Sequence, residues 1–408
     1  MLEINAELDP FIESLAYRGS GVARHEGMVI FVAGAATGER VHARITRVHR
    51  KYSEAVVLAV LTPSPDRIAP CCLQPGGART PGCVYDHIAY PAEISAKQKQ
   101  LEDFFRRLPG GKEIQFSPPF ASPAELHYRN KIVLHAQRPR DDLASTPTFG
   151  YLGDDNRTVL DITACPLAHP DINTALAAFR HTSVFANLKH GQSVTFRHTT
   201  HDGVLSWVDD AAPKTPEYLT ESAPFGAMLV PPDGFYQVNP AVANALVLQV
   251  QEWFAADGGS GAEVLDLYCG VGVFAIACAK VGASRARGIE AGRRSIEAAT
   301  ANAYEHDVLA KFRSQTVEAA ASDGFGSNLA QITVIVDPPR QGLAPEVARA
   351  LADARARRLL YVSCDPATLA RDLAILLAGP YVLRAARLFD MFPRTTHFET
   401  LVWLERKP

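Results

Sequence analysis

The stretch Ala262–Phe274, AEVLDLYCGVGVF, decides the reading of the chain. An apolar run of strand length delivers Asp266. A short glycine turn follows, and a helical pattern opens directly after Gly272. Gly270 and Gly272 let a ligand approach the backbone closely at a helix start. The turn is not a GxGxxG loop. Its shortness suits a nucleoside cofactor without a pyrophosphate, such as S-adenosylmethionine. The next strand-like piece, ARGIE, ends in Glu290, where a carboxylate can accept both ribose hydroxyls.

Outward from this stretch, strands and helices alternate from about Gly234 to the last residues. Asn239-Pro240 reads as a cap and first turn, and AVANALVLQVQEWF as the helix it opens. ITVIVDPP, RLLYVSC, YVLRAARLFD and FETLVWLE are further strands, mostly separated by helical patterns. Near-continuous apolar strands in repeated βα units predict a mainly parallel, doubly wound sheet covered on both faces. The last two strands have no helix between them, which predicts one antiparallel edge. Ligands of such a sheet sit beyond the strand C-termini.

Composition divides the 408 residues into four segments. Residues 1–62 alternate in short apolar runs broken by glycine, the pattern of a small OB-type β-barrel. Arg40, Arg44, Arg47, Arg50 and Lys51 cluster on its third strand and the turn after it, either as a solvated edge or as an RNA-facing groove. Residues 63–95 are rich in Pro, Gly and Cys. Residues 96–230 read as an α+β middle domain, entered through a helix over Pro91–Leu108 with Lys97, Lys99, Arg106 and Arg107 on its polar side. Residues 231–408 form the doubly wound domain.

Bulk properties set the outer limits. A net charge of −3 disfavours a purely electrostatic nucleic-acid binder. Seven cysteines scattered over the chain point to a reducing compartment rather than a disulfide framework. The N-terminus lacks a basic region followed by an apolar core, and no apolar run has membrane-spanning length. The expectation is a cytoplasmic protein, monomeric and off the membrane.

Two further motifs carry chemistry. Ile335–Gly342, IVDPPRQG, ends an apolar strand in a rigid extended segment, since each proline fixes its own φ and restricts its neighbour. Such a loop suits a flat base held against a methyl donor. Leu360–Cys364, LYVSC, is a buried strand that puts Cys364 at the ligand edge of the sheet. Asp365-Pro366 then opens a helix, and a thiol near a helix N-terminus is expected to favour thiolate. Downstream, TTHFET carries Glu399 into the last strand, where a carboxylate is costly unless it has partners or a role. A general base is the preferred role.

LDLYCGVGVF, VDPPRQGL, VSCDPATLARDL and THFET, in this order, resemble the RNA 5-methyluridine methyltransferase family. GFYQVNP is similar to its FxQvN motif, and SGVARHEGMVIFVAGAATGERV to the TRAM domain, an OB-type RNA-binding module. HYRNKI and DITACPL match its middle domain. The resemblance implies a Rossmann-like class I methyltransferase domain that moves a methyl group from S-adenosylmethionine to C5 of a uridine in RNA. Carried over by position, Cys364 is the nucleophile and Glu399 the base. Gln237, Tyr268, Gly270, Gly272, Glu290 and Asp337 hold the cofactor. Val273 and Thr316 depart from the family pattern near the adenine.

The chemistry explains the residue types. Addition of a thiolate to C6 makes C5 nucleophilic enough to take a methyl group, and a base then removes the C5 proton so that the thiol can leave. The target base must first quit its stack. The TRAM-like barrel favours 23S ribosomal RNA over the T-loop uridine of tRNA. A cytosine-C5 enzyme would carry a cysteine in the DPPR loop, and an amino-group methyltransferase would not need Cys364. A non-enzymatic TRAM-type RNA-binding protein would explain the barrel but not the co-occurrence of Cys364, Asp337 and Glu399.

The resemblance also raises a 4Fe–4S cluster on Cys71, Cys72, Cys83 and Cys165. Thr80 stands where the family's middle cysteine belongs, and Cys71 and Cys72 are adjacent. A zinc site or a metal-free loop are the other readings of this segment.

Overall fold

The computed structural model describes residues 2–407 except 75–76, 78, 140–144, 154, 257–259 and 327. Contacts gather the chain into two compact units, Met1–Asp103 with Phe392–His397, and Phe104–Met391 with Phe398–Pro408.

The first unit contains β1 (Glu7–Leu8), β2 (Ser14–Leu15), β3 (Gly21–His25), β4 (Met28–Ala33), β5 (Arg40–Val48), β6 (Tyr52–Thr62) and most of α1 (Tyr90–Phe105). β1 pairs with β5 and β2 with β3, and Phe11 bridges to Arg40 between them. One extended stretch thus joins both edges of the six-stranded sheet and closes the barrel. Alternation along β5 puts Val41, Ala43 and Ile45 in the core with Ile12, Ile30 and Val32, and leaves Arg40 and Arg44 exposed. A bulge between Ile45 and Arg47 resets that alternation, so Arg47 is exposed as well.

Lys97 corrects the reading of α1. It is not on a polar face but fully buried, its Nζ 2.7 Å from Glu93 Oε1 one turn earlier. Arg394 Nη1 lies 3.4 Å from the other Glu93 oxygen. A buried ammonium is tolerated only with such pairing, and periodicity alone could not reveal that Glu93 is also buried.

The second unit continues with β7 (Gln115–Phe120), β8 (Lys131–Gln137), β9 (Thr148–Leu152), β10 (Val159–Asp161), α2 (Pro170–Phe179), α3 (Ser183–Ala186), β11 (Ser193–Thr199), β12 (Gly203–Val208), β13 (Leu219–Ala223) and β14 (Gly226–Val230). There follow α4 (Pro240–Ala255), β15 (Glu263–Leu267), α5 (Val273–Lys280), β16 (Arg285–Glu290), α6 (Arg293–Glu305), β17 (Ala310–Ser314) and α7 (Val317–Ser322). The chain ends with β18 (Ile332–Val336), α8 (Pro345–Ala354), β19 (Arg358–Ser363), α9 (Pro366–Ala378), β20 (Tyr381–Phe389) and β21 (Glu399–Arg406).

Its eight-stranded sheet has the order β17-β16-β15-β18-β19-β21-β20-β7. The strands from β15 to β19 are parallel, and β18 and β19 are buried at every residue. This is the doubly wound sheet expected, with α4, α5 and α6 packed in succession and α7, α8 and α9 likewise. Two details differ. The antiparallel strand β21 lies inside the sheet, between β19 and β20. The edge is β7, QFSPPF, from the segment read as middle domain; its two prolines hide it as a strand and suit an edge. Segments 96–230 and 231–408 therefore share one unit.

Arg358 opens β19 from a fully buried position. Its guanidinium donates to the carbonyls of Trp253, of Phe254 at 3.0 Å and of Ala256 at 3.1 Å, and lies 4.2 Å from the Trp403 ring centroid. It thereby satisfies the C-terminal carbonyls of α4 and ties that helix to β19 and β21. Arg358→Leu is expected to destabilise the second unit by about 2–4 kcal/mol, read as a lowered thermal midpoint. An unchanged midpoint would show that α4 is held by its apolar face alone.

Candidate active site

The C-terminal ends of the parallel strands gather the candidate residues. Antiparallel register pairs Ser363 of β19 with Thr400 of β21. One step further along, Cys364 lies opposite Glu399. Asp337 follows β18, the other neighbour of β19, and its N–H donates to Leu267 O at 3.3 Å. Three chemically active side chains from distant parts of the sequence thus meet at one sheet edge.

Burial dominates their electrostatics. Glu399 is 3% exposed, and among the described residues its Oε2 accepts no hydrogen bond. Burial and the Asp337 charge hold its carboxyl well above the usual range, with Arg340 opposing. Burial pushes the Asp337 carboxyl up to about 7. The Cys364 thiol is pushed up to about 12 by burial first, then by Glu399 and Asp337, and Arg340 pulls it back.

This reverses the expected thiolate. The first N–H groups of α9 are taken by Asp365, whose Oδ1 accepts from Ala367 at 2.8 Å and Thr368 at 3.0 Å. Little of the helix terminus is left to stabilise a thiolate, and desolvation wins.

The loop bearing Asp337 and Arg340 is clamped from α9. Asp372 Oδ2 accepts from Leu343 N–H and from Tyr361 O–H, both at 2.7 Å. Arg371, paired with Asp372, donates to the carbonyls of Gln341 at 2.8 Å and Leu343 at 3.0 Å. A Cβ at Gly342 (φ 72°) would meet Asp372 Oδ2 at 2.5 Å, so only glycine fits under the clamp. Sequence reading missed Asp372 and Arg371; the available signal was a charged pair within the otherwise apolar face of α9.

Beside this edge lies a cavity of about 70 Å³ lined by Gln237, Tyr268, Gly270 and Asp337, with Phe235 and Val273 among its walls. Tyr268 has φ 62°, a costly conformation for a non-glycine residue that turns the chain sharply after β15. Gly272 (φ 86°) caps α5, and a Cβ there would meet Phe312 Cζ at 2.8 Å. Because Gly272 has no side chain, the fully buried Asp266 supplies the acceptor, taking Ala275 N–H at 3.0 Å. Glu290 Oε1 accepts from Gly292 N–H at 2.8 Å and Oε2 from Gly270 N–H at 3.4 Å.

Of the six residues expected at the cofactor, Gln237, Tyr268, Gly270 and Asp337 line this cavity, Gly272 lies in the turn beside it, and Glu290, at the end of β16, accepts from that turn at Gly270. A cradle of glycine backbone, an aromatic rim and two carboxylates at the sheet edge fits an adenosylmethionine-like ligand. Thr316, which departs from the family pattern, caps a helix: its Oγ1 accepts Ala319 N–H at 3.2 Å at the start of α7.

Of the other cysteines, Cys71, Cys72 and Cys83 lie near one another, and the interaction of Cys71 with Cys72, then burial, pushes the Cys71 thiol up. Thr80, where the family's middle cysteine belongs, has its Oγ1 accepting from Gln74 Nε2 at 2.7 Å, so a hydroxyl that is a poor ligand for iron occupies that place. Cys165 Sγ accepts from Tyr151 O–H at 3.3 Å. No function is assigned through a cluster.

Comparisons with known proteins agree with this geometry. Residues 323–407 match the tRNA (uracil-5-)-methyltransferase family, residues 7–58 the TRAM domain, and residues 245–339 the ribosomal protein L11 methyltransferase family. The chain is 33% identical to the 23S rRNA (uracil(1939)-C(5))-methyltransferase RlmD of Acidithiobacillus ferrooxidans, over 97% of each protein. It is 31% identical to an RNA methyltransferase of Gloeobacter violaceus, over 97% of this chain and 95% of that protein. Among solved structures, the Pyrococcus abyssi tRNA (uracil-54, C5)-methyltransferase in complex with S-adenosyl-L-homocysteine shares the fold. Its TM-score is 0.73 at 24% identity, covering 97% of this chain and all of that one.

The raised Cys364 thiol makes a direct prediction. Alkylation by iodoacetamide, followed by mass spectrometry, should be slow at pH 8, where about one thiol in ten thousand is ionised. The rate should climb about tenfold per pH unit. Arg340→Gln should slow it further, and Glu399→Gln should speed it in the alkaline range. A plateau below pH 9 would contradict the assigned burial effect.

Proposed function

Because the chain belongs to the RNA uracil-C5 methyltransferase family, we propose that Cys364, Glu399 and Asp337 carry out S-adenosylmethionine-dependent methylation of a uridine in RNA. The observation that carries this reading is the strand register that sets Cys364 opposite Glu399 beside the glycine-turn cavity. When bound, adenosylmethionine supplies an electrophilic methyl group on a positively charged sulfur.

The protein's own groups do the rest. Cys364 Sγ gives its proton to solvent and bonds to C6 of the uracil, and the C5–C6 π pair moves out to leave C5 as the nucleophile toward the methyl group. C5 then carries both methyl and hydrogen. Glu399, its own proton released to solvent, takes the C5 proton, and the C5–H pair re-forms the C5–C6 double bond and expels Cys364 as thiolate, which recovers a proton from solvent. Arg340 is the cation that eases ionisation of both groups, since it lowers both. Asp337 lies at the cofactor cavity, and its charge adds to burial in raising the Glu399 carboxyl. Gln237, Tyr268, Gly270, Gly272 and Glu290 hold the cofactor. Ribosomal rather than transfer RNA is the preferred substrate. The near-complete coverage by relatives named for 23S rRNA supports that choice.

RNA from a deletion strain, incubated with methyl-labelled cofactor and digested to nucleosides, should yield labelled 5-methyluridine at one position of 23S rRNA. Label in tRNA instead would redirect the substrate reading. RNA with 5-fluorouridine at that position should trap a covalent adduct, because fluorine cannot leave as a proton does. Cys364→Ala should abolish adduct and turnover together. Glu399→Gln should accumulate adduct on ordinary RNA while turning over slowly; parental turnover would place the base elsewhere. With Cys364 and Glu399 both raised, kcat/KM should rise with pH above neutrality, and Arg340→Gln should move that rise to higher pH.

A further inference from the structure

On one face of the large sheet the helix α7 has only six residues. On β15, Asp266 points to α5, so Glu263 and Leu265 point to the opposite face, that of α7. A cleft of about 760 Å³ opens there, lined by Glu263, Arg285, Arg287, Lys311 and Arg313 among others. Its lining runs from Glu263 and Leu265 of β15 across Arg285, Arg287 and Ile289 of β16 to Lys311 and Arg313 of β17 and does not include Cys364 or Glu290.

Register concentrates positive charge in this cleft. Arg287 of β16 lies directly opposite Lys311 of β17, and Ile289 opposite Arg313. Arg285 lies opposite Glu263. Glu263 also serves Arg287, at 3.9 Å. Like charges facing each other across paired strands are destabilising. Among the described lining residues the cleft holds four cations and one carboxylate. The Arg287 side chain is 17% exposed, and burial, then Arg285 and Arg313, disfavour its charge against the pull of Glu263. Arg285, Lys311 and Arg313 are exposed, so an anion entering the cleft meets all three together with Arg287. Guanidinium forks match phosphate oxygens in pairs, and a lysine adds a point charge. The volume is that of a small-molecule or nucleotide site rather than of a flat contact.

We propose that this cleft binds phosphate groups, either of the RNA backbone away from the target uridine or of a small free polyphosphate. The RNA source rests on the methyltransferase reading; the polyphosphate source does not.

The test titrates the full-length chain with inorganic tripolyphosphate by calorimetry and with a labelled oligocytidylate by anisotropy. Arg287→Gln and Lys311→Gln should each weaken tripolyphosphate binding about tenfold, and Glu263→Gln should tighten it. Lys311→Gln should melt no lower than the parent, because it removes a like-charge contact; a merely structural lysine would not behave so. If oligocytidylate binding falls in step, with its salt dependence reduced by about one ion per cation removed, the ligand is RNA backbone. If only tripolyphosphate responds, the ligand is a small phosphorylated molecule. Equal affinity of parent and all three variants for both probes would overturn the proposal. Neither probe contains uridine, so Cys364→Ala, which tests the methyltransfer reading, should leave these affinities unchanged.

Discussion

The insertion of β21 between β19 and β20 is the constraint on which the site depends. A purely parallel sheet would leave Cys364 flanked by loops alone. An antiparallel neighbour sets Thr400 opposite Ser363, the last residue of β19, so that Glu399 comes level with Cys364 just beyond it, and backbone hydrogen bonds fix the pairing. A one-residue slip would send Glu399 to the other face of the sheet. That slip is opposed along the whole strand, because β21 is buried over Glu399–Val402 and again at Leu404, while Trp403 packs beneath the Arg358 guanidinium. The position of a single carboxylate is thus enforced by the apolar packing of its strand.

The same burial that fixes the geometry sets the chemistry. Cys364, Asp337 and Glu399 share a poorly solvated edge in which ionisation of one discourages the others. Arg340 is the cation that counters them, and its position is not left to a flexible loop. Two prolines stiffen the chain before it, and the Arg371–Asp372 clamp holds the residues after it. Burial and the neighbouring carboxyls hold the Cys364 thiol toward its protonated, less nucleophilic form.

Much of this was legible in the sequence. Alternating βα units gave the parallel sheet, since strands buried on both faces must read as apolar runs. The glycine turn, the DPPR loop and Cys364 were visible because residues of special conformation or reactivity stood at strand ends. What remained hidden was nonlocal. β7 carries two prolines and pairs with β20 from far away in sequence, so no local pattern marks it. Lys97 looked solvent-facing because helical periodicity cannot show that Glu93 is buried beside it. The Cys364 thiol was misjudged because local sequence displays the helix terminus but not the desolvation, nor the fact that Asp365 already occupies the terminal N–H groups.

The path of the chain around Glu399 constrains how such proteins can be recombined. Between β20 and β21, residues Phe392–His397 belong to the barrel-containing unit, where Arg394 N–H and Nη1 reach Glu93 and its Nη1 also donates to Ile88 O at 2.6 Å. A gene fragment ending near residue 103 would carry Glu93 without its Arg394. The N-terminal unit is therefore not a cassette that a single crossover can exchange. Shuffling between relatives must keep or replace two distant stretches together, and a split placed between the units by length alone would cut through the smaller one.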